Sequence, residues 1–271
     1  MPNRAGAPSG PRKVTSKLMQ KRAAEAARLY QDGMSVNRIA KQLAVDRTSI
    51  YHDLILVGCP RRKPIEIRHR KLDETVFDKP SEERSYWIGF LMADGCVCER
   101  GNARHIVVGL SSKDRDHLEK FRAFLGSDHA ISDNGIRAAI CIPSVKLASA
   151  LASFGVIPKK ARCATIIGLE HDRHFWRGVI DGDGCLGIYR NKPRLQLVGS
   201  KSLLSQFKDF AQAHIDTMAS VRPVNSIFQF TLIHFKATAV ASLLYSNCSV
   251  ALDRKKDLAD QFAAWFARRA A

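Results

Sequence analysis

The sequence contains no long apolar run and comparatively few acidic side chains. No stretch approaches the roughly 18–20 apolar residues that a membrane-spanning helix needs, and residues 1–12 lack the apolar segment of a secretory signal. The 271 residues include 43 lysines and arginines but only 26 aspartates and glutamates, so the formal net charge is +17. This excess indicates a polyanionic partner, most simply nucleic acid, with a nonspecifically basic protein such as a ribosomal one as the alternative.

The cysteines are neither paired in CxxC motifs nor even in number. Seven are scattered along the chain, which does not match a disulfide framework or a zinc site. We therefore expect reduced thiols and a cytoplasmic location in a bacterial or phage-encoded setting, with an organelle as the alternative.

Composition and pattern divide the chain into four parts. Residues 1–13 are predicted to form a disordered basic arm, residues 14–57 a compact helical domain and residues 58–80 a linker rich in proline and arginine. Residues 81–271 are predicted to form one large domain, with halves at about 81–165 and 166–271. Hydrophobic residues make up 45% of the chain, enough for real cores.

Residues 14–57 carry the pattern of a helix-turn-helix. Ser35 can cap a second helix, residues 44–46 form a tight turn, and a third helix begins at Arg47. The pattern resembles the helix-turn-helix of resolvases and sigma factors, whose third helix enters a major groove; a generic three-helix bundle is the alternative. The exposed side of that helix offers candidate DNA contacts at Arg47, Ser49, Tyr51 and His52.

The linker is stiffened by proline and strongly positive. Arms of this kind track a phosphate backbone or lie in a minor groove, and a solvated linker that happens to be basic is the alternative. Its candidate DNA contacts are Arg61, Arg62 and Lys63.

Two segments of the large domain repeat each other. Residues 87–95 read W-I-G-F-L-M-A-D-G and residues 176–184 read W-R-G-V-I-D-G-D-G. An offset of 89 separates Gly89 from Gly178 and also Asp94 from Asp183. Each segment is a short apolar helix that ends in Asp-Gly, and each half is predicted to continue as strand, strand, helix, strand, strand, helix. The repeat predicts a two-fold site with one carboxylate from each half, which suits metal-assisted hydrolysis of phosphodiesters.

With these motifs and this element order, residues 72–271 resemble the LAGLIDADG homing endonucleases in their single-chain form. The resemblance implies an α+β fold: a pseudo-two-fold duplicated αββαββα domain with saddle-shaped antiparallel sheets, here preceded by a small all-α helix-turn-helix domain. Gly89 and Gly178 would allow the two motif helices to approach closely. Asp94 and Asp183 would then lie side by side and bind Mg²⁺, or Mn²⁺, since hard cations prefer oxygen ligands. The alternative for each aspartate is a turn or capping role before glycine.

Further site residues follow from the same resemblance. Lys146 and Lys236 stand at equivalent places, each opening a helix after a strand, where the family uses a basic residue to stabilise the transition state; solvated lysines are the alternative. Asp181 is matched by Met92 in the other half, so we assign it no metal. The strands would read the major groove, and the candidate DNA contacts are Arg100, Arg104, Arg190, Lys192, Arg194 and Gln196. Residues 253–256, Asp-Arg-Lys-Lys, are expected to cap the domain or to meet phosphate.

The sequence thus predicts a site-specific double-strand DNA endonuclease that acts as a monomer on a long asymmetric target and, by resemblance, leaves short 3′ overhangs. A catalytically inactive DNA-binding regulator is one alternative, although the sporulation regulators that resemble it carry their helix-turn-helix after the repeat. An intron RNA maturase is the other. Retention of both aspartates and both lysines favours the enzyme.

Overall fold

The structure is a computed structural model that describes residues 17–60, 70–101 and 103–270. The chain separates into two compact units, residues 1–69 and residues 70–271. The predicted arm at residues 1–13 lies outside the described residues, as do Arg61, Arg62 and Lys63 of the linker. No described helix combines the length and the apolar character needed to cross a membrane.

The first unit contains three helices: α1 (Lys17–Gln31), α2 (Val36–Gln42) and α3 (Arg47–Leu56). Ser35 caps α2 by accepting the Arg38 N–H, and Asp46 caps α3 by accepting the Ser49 N–H. The small core buries apolar side chains from all three helices: Ala26, Leu29, Ile39, Ala40, Ile50 and Leu54. An ion pair with a buried carboxylate joins α1 to α3, since Arg22 Nε lies 2.7 Å from Asp53 Oδ2.

The second unit consists of two halves with the same element order. The first half runs α4 (Glu82–Ala93), β1 (Gly95–Arg100), β2 (Ala103–Ser111), α5 (Arg115–Phe124), β3 (Ile131–Asp133), β4 (Arg137–Pro143) and α6 (Val145–Ser153). The second runs α7 (Arg173–Asp183), β5 (Gly184–Tyr189), β6 (Lys192–Gly199), α8 (Lys201–Gln212), β7 (Arg222–Val224), β8 (Ile227–Ile233) and α9 (His234–Tyr245). The predicted duplicated α+β fold with an amino-terminal helical region is confirmed.

Each half forms one antiparallel sheet of four strands. The orders are β1-β2-β4-β3 and β5-β6-β8-β7, so each sheet has the same topology. Burial alternates along β2 and β6, because successive side chains of a strand point to opposite faces. One face of each sheet packs on the core, and the other stays open.

The repeated tryptophans anchor equivalent parts of the core. The ring of Trp87 lies 5.0 Å from that of Phe121 on α5, and the ring of Trp176 lies 5.1 Å from that of Phe207 on α8. Offset aromatic pairs of this kind add to the burial of their apolar area. The tryptophans of the two motifs thus fix each motif helix to the second helix of its own half.

Two features of the second half complete the comparison with the sequence-based prediction. Helix α7 ends at Asp183, directly before Gly184, as the Asp-Gly end of the motif predicts, and Asp181 within it is buried and bound by groups of other segments. Residues 253–256 do not simply cap the domain: they begin an additional helix, α10 (Asp253–Ala270), which contacts α9 and β5.

Candidate active site

The two motif helices, α4 and α7, pack backbone against backbone at their glycines. A Cβ on Gly89 would lie 2.0 Å from the carbonyl oxygen of Phe175, and a Cβ on Gly178 would lie 2.1 Å from that of Tyr86. No side chain fits at either distance, so the close crossing depends on glycine at both positions. The crossing brings the ends of the two helices together.

Each motif helix ends at an aspartate and turns at once into a strand. Asp94 is the last residue before β1, and its N–H still bonds the carbonyl of Phe90 at 2.9 Å. Asp183 ends α7, and Gly184 begins β5. A Cβ on Gly95 or Gly184 would lie 2.6 Å from the carbonyl of Leu91 or Ile180, so the sharp turn after each aspartate also requires glycine.

The two aspartates are neighbours across the pseudo-two-fold axis. A Cβ on Gly182 would lie 2.3 Å from the Cβ of Ala93 and 3.3 Å from the amide nitrogen of Asp94. Desolvation by the surrounding protein and the charge of Asp94 together raise the pKa of Asp183 to about 6. Desolvation also raises the pKa of Asp94. Two adjacent carboxylates with raised pKa values form an arrangement that a divalent cation stabilises.

The donor set at this place suits a hard cation. Both groups are carboxylates, and oxygen ligands are those that Mg²⁺ and Mn²⁺ prefer. Within the described ranges no cluster of three or more histidine, cysteine, aspartate or glutamate side chains is present. A cation held by Asp94 and Asp183 would therefore complete its coordination with water and phosphate oxygens, as Mg²⁺ commonly does.

Two buried lysines flank the carboxylates: Lys160, which the sequence analysis did not single out, and Lys255, which it placed only in a segment that caps the domain or meets phosphate. Lys160 donates to the carbonyl oxygen of Gly95, and Lys255 on α10 donates to that of Gly184 at 2.7 Å. These glycines are the equivalent residues that follow Asp94 and Asp183. Both lysines carry charges that act on the two aspartates. In the sequence, each of these lysines stands in a Lys-Lys doublet, at 159–160 and at 255–256. The two doublets are not separated by the offset of 89 that relates the two motifs.

Lys146 and Lys236 lie at equivalent starts of α6 and α9, as the element order predicts. Both side chains are exposed, and Lys146 Nζ lies 3.8 Å from Asp78 Oδ2. The cations that act on the pKa values of the paired aspartates are instead Lys160, Lys255 and Arg254. A transition-state role for Lys146 and Lys236 stays a prediction.

Asp181 is fully buried and bound by protein donors. Its carboxylate accepts the hydroxyl of Tyr86 at 2.7 Å, the hydroxyl of Tyr245 at 2.5 Å and the N–H of Leu252 at 2.7 Å. Burial raises its pKa. Its oxygens are thus occupied in joining α4 and α7 to α9 and to the start of α10.

A second buried charged residue of α7, Arg177, also binds α4 and segments that follow α7 in the chain. Its guanidinium donates to the carbonyls of Val250 and Leu244 at 2.9 and 3.1 Å and to Glu82 at 2.9 Å. The counterpart of Arg177 in the first motif is Ile88. The second motif therefore supplies buried polar contacts to neighbouring segments through Asp181 and Arg177, whereas both motifs end in an aspartate.

The open face of the second sheet presents a connected row of polar groups. Arg194 donates to Gln196, Gln196 Nε2 donates to Gln229 Oε1 at 3.0 Å, and Gln229 Nε2 donates to Thr231 at 2.9 Å. Lys192 lies at the exposed start of β6. Arg190 lies in the hairpin turn between β5 and β6, with a φ of 47°. A left-handed backbone conformation in such a turn matches the twist of the two strands. The four predicted DNA contacts of this half thus lie on one hairpin.

The predicted contacts elsewhere are placed as follows. Arg104 pairs with Glu99 at 3.0 Å and donates to Ser149 at 3.1 Å, and Arg100 ends β1. On α3 of the first unit, Arg47 and His52 are exposed, and Arg47 donates to the Tyr51 hydroxyl at 3.2 Å. Ser49 is engaged in the cap, because its hydroxyl donates to Asp46 at 2.5 Å.

Comparison with known proteins identifies the fold. No family model and no curated protein matches the sequence. Among solved structures, the LAGLIDADG meganuclease I-AabMI, bound to uncleaved DNA, is 13% identical over 68% of this chain and 91% of its own, with a TM-score of 0.51. A point variant of I-SmaMI is 12% identical over 71% of this chain and 92% of its own, also with a TM-score of 0.51. The chain therefore contains the LAGLIDADG fold.

Proposed function

We propose that this chain, a LAGLIDADG fold preceded by a helical unit, is a site-specific double-strand DNA endonuclease. The observation that carries the proposal is the pair of aspartates, Asp94 and Asp183, brought side by side at the ends of two motif helices. In the structure of I-AabMI, a protein with the same fold is bound to DNA. The net charge of +17 supports a nucleic-acid partner here.

In this proposal the paired carboxylates hold the divalent cation. A bound Mg²⁺ supplies Lewis-acid activation of the scissile phosphate and of the attacking water. Asp94 and Asp183, one from each motif helix, would hold this cation, so that one helix pair would serve both strands of the duplex. Gly95 and Gly184 aim the two carboxylates by turning the chain immediately after them.

The remaining parts of the chain position the DNA. The hairpin β5–β6, with Arg190, Lys192, Arg194 and Gln196, supplies donors and acceptors for base edges in the major groove. Arg100 and Arg104 are the corresponding groups of the first half, and Lys146 and Lys236 are proposed to act on the scissile phosphates. Because the two open sheet faces differ in sequence, the target is asymmetric and one chain suffices.

The amino-terminal unit is proposed to bind DNA as a helix-turn-helix, with Arg47, Tyr51 and His52 on the third helix. Deleting residues 1–57 should weaken DNA affinity and reduce its salt dependence, because fewer phosphate contacts release fewer counterions. Affinity measured against salt concentration tests this. An unchanged affinity and slope would contradict a DNA-binding role for the unit.

Cleavage of a plasmid that carries the uninterrupted insertion locus of the gene tests the whole proposal. The protein, Asp94→Asn and Asp183→Asn are compared with Mg²⁺ and with EDTA, and Asp209→Asn on the exposed side of α8 is the matched control. We expect one Mg²⁺-dependent double-strand cut that both active-site variants lose while still binding DNA. Tight binding without a cut under any metal would favour a regulator, and binding of structured intron RNA instead would favour a maturase.

A further inference from the structure

The turn of the β5–β6 hairpin is held by the additional helix α10. Trp265 of α10 is 3% exposed, and its indole Nε1 donates to the backbone carbonyl of Asn191 at 2.7 Å. Asn191 and its neighbour Arg190 form the two-residue turn of the hairpin, with φ angles of 60° and 47°. Because a buried indole N–H needs an acceptor, this hydrogen bond ties the tip of the hairpin to the body of the unit.

Trp265 is itself held by two other side chains. Its ring centroid lies 5.3 Å from that of Phe235 on α9, and the guanidinium of Arg269 lies 4.3 Å from it. An aromatic ring and a cation at such distances both stabilise the position of an indole. Since α9 and α10 also contact each other, the hairpin turn is bonded to a group that has a fixed place.

The equivalent hairpin of the first half, β1–β2, is more open at its turn. Gly101 stands where the second half has Arg190, by the offset of 89 that relates the two motifs. Apart from its chain neighbours, no described residue lies within 4 Å of the position that a Cβ on Gly101 would occupy. In the described part of the chain, α10 follows the second half, whereas the first half is followed by a short 3₁₀ turn and α7. The two hairpins are therefore supported differently.

The open faces of the two sheets also differ at equivalent positions. The register of the strands places His105 and Val107 of β2 where β6 carries Arg194 and Gln196. In the second half, the Arg194 guanidinium lies 5.7 Å from the ring centroid of Tyr189 and donates to Gln196. The side chain of Val107 makes no hydrogen bond. The second sheet thus presents polar groups that are already joined to one another, on a hairpin whose turn is tied down.

Resting on the proposed function, we propose that Trp265 is a positioning residue for DNA recognition: through Asn191 it presets the β5–β6 hairpin, so that the half-site under the second half is discriminated more strictly than the other. A preset hairpin loses less conformational freedom when it binds. It also does not shift to accommodate a wrong base pair, so a mismatch leaves donors and acceptors unpaired. The more open β1–β2 hairpin adjusts to substitutions, and the half-site under it tolerates more of them.

Hydrogen exchange in the free protein is the first measurement. Trp265→Phe removes the N–H donor and keeps an aromatic ring beside Phe235, and Gln261→Ala on the exposed side of α10 is the matched control. The amides of residues 189–192 should exchange faster in Trp265→Phe than in the control, while those of β1–β2 stay unchanged. Unchanged exchange at residues 189–192 would overturn the proposal, because the hydrogen bond would then not hold the hairpin.

Discrimination between base pairs is the second measurement. Affinity is measured in EDTA for a duplex that spans the cut site and for single base-pair substitutions along it. Gln196→Ala identifies the half-site under the second half, because loss of a base contact relaxes discrimination at the base pair it touches. In the unaltered protein, substitutions in this half-site should weaken binding roughly tenfold or more, against a few-fold in the other. Trp265→Phe should reduce the losses in this half-site to a few-fold and leave those in the other unchanged.

The pattern across the two half-sites separates positioning from a structural role. General destabilisation by Trp265→Phe would lower the affinity for every duplex by the same factor and leave the cost of each substitution as it was. Equal costs in both half-sites of the unaltered protein, or costs that Trp265→Phe changes in both or in neither, would overturn this proposal alone. Absence of specific binding to any duplex would overturn the proposed function, and this inference with it.

Discussion

His117 should make the stability of the large unit depend on pH. The side chain is 2% exposed, and its Nε2 lies 2.9 Å from the hydroxyl of Tyr86. Because Tyr86 donates its own proton to Asp181, Nε2 must be the protonated nitrogen of a neutral ring. The other nitrogen, Nδ1, is buried with no hydrogen-bond partner in the described part of the chain. A second proton on the ring would therefore have no acceptor.

The magnitude follows from the shift in pKa. Burial lowers the pKa of His117 to about 3, against about 6.5 in an unfolded chain. Below pH 6.5 the unfolded state takes up a proton that the folded state refuses, so stability that is present above this pH is lost as the pH falls toward 3. Each pH unit in this range costs about 1.4 kcal/mol, which gives roughly 2 kcal/mol at about pH 5.

Urea unfolding at about pH 7.5 and about pH 5 measures this effect. The tryptophans, at positions 87, 176 and 265, all lie in the large unit, so their fluorescence reports its unfolding. His117→Phe fills the same space without a titrating group, and His171→Gln at an exposed position is the control. The protein and the control should lose roughly 2 kcal/mol more than His117→Phe between the two pH values. Equal losses in all three would refute the reasoning.

Substitutions at three further positions probe the packing and the buried charges. Gly178→Ala places a Cβ 2.1 Å from a backbone oxygen and should cost about 1–3 kcal/mol or more in urea unfolding, beyond the gain of up to ~1 kcal/mol in helix propensity; a neutral result would contradict the close crossing. Asp181→Leu leaves two hydroxyls and an N–H unpaired and should cost about 3–5 kcal/mol, while Asp181→Asn keeps an acceptor and should cost about 1–2 kcal/mol; equal costs would argue against the network. Arg22→Met removes the ion-pair partner of the buried Asp53 carboxylate and should destabilise the small unit by about 1–3 kcal/mol. Hydrogen exchange measures this, with faster amide exchange expected in α3 and unchanged exchange in α4.

The element order was predictable because it depends on local patterns. A capping residue such as Ser35 marks a helix start, and alternating apolar residues mark strands. The duplication allowed the elements predicted for one half to be compared with those predicted for the other, since two copies of one motif are expected to adopt the same structure. The burial of Asp181 was not predictable locally, because its hydrogen-bond partners are two tyrosines and an N–H that are distant in sequence.

The candidate site was predictable only in part. The repeat indicated Asp94 and Asp183 without any knowledge of contacts. Lys160 was not identified, and Lys255 was named only within residues 253–256, because nothing in a Lys-Lys doublet shows which ammonium turns inward. That choice depends on a short 3₁₀ turn at Lys160–Arg162 and on α10, which follow the repeated elements of the two halves and are not themselves alike.

The sequence by itself determined that two equivalent carboxylates end two equivalent helices in a basic chain, since repetition and charge can be read without coordinates. The tertiary structure alone decided what surrounds them. The crossing of α4 and α7 at two glycines sets their proximity, and α10 folds back to place Lys255 at the carbonyls of α7. Proximity and burial arise from contacts between segments far apart in the chain, and these fix the electrostatics of the site.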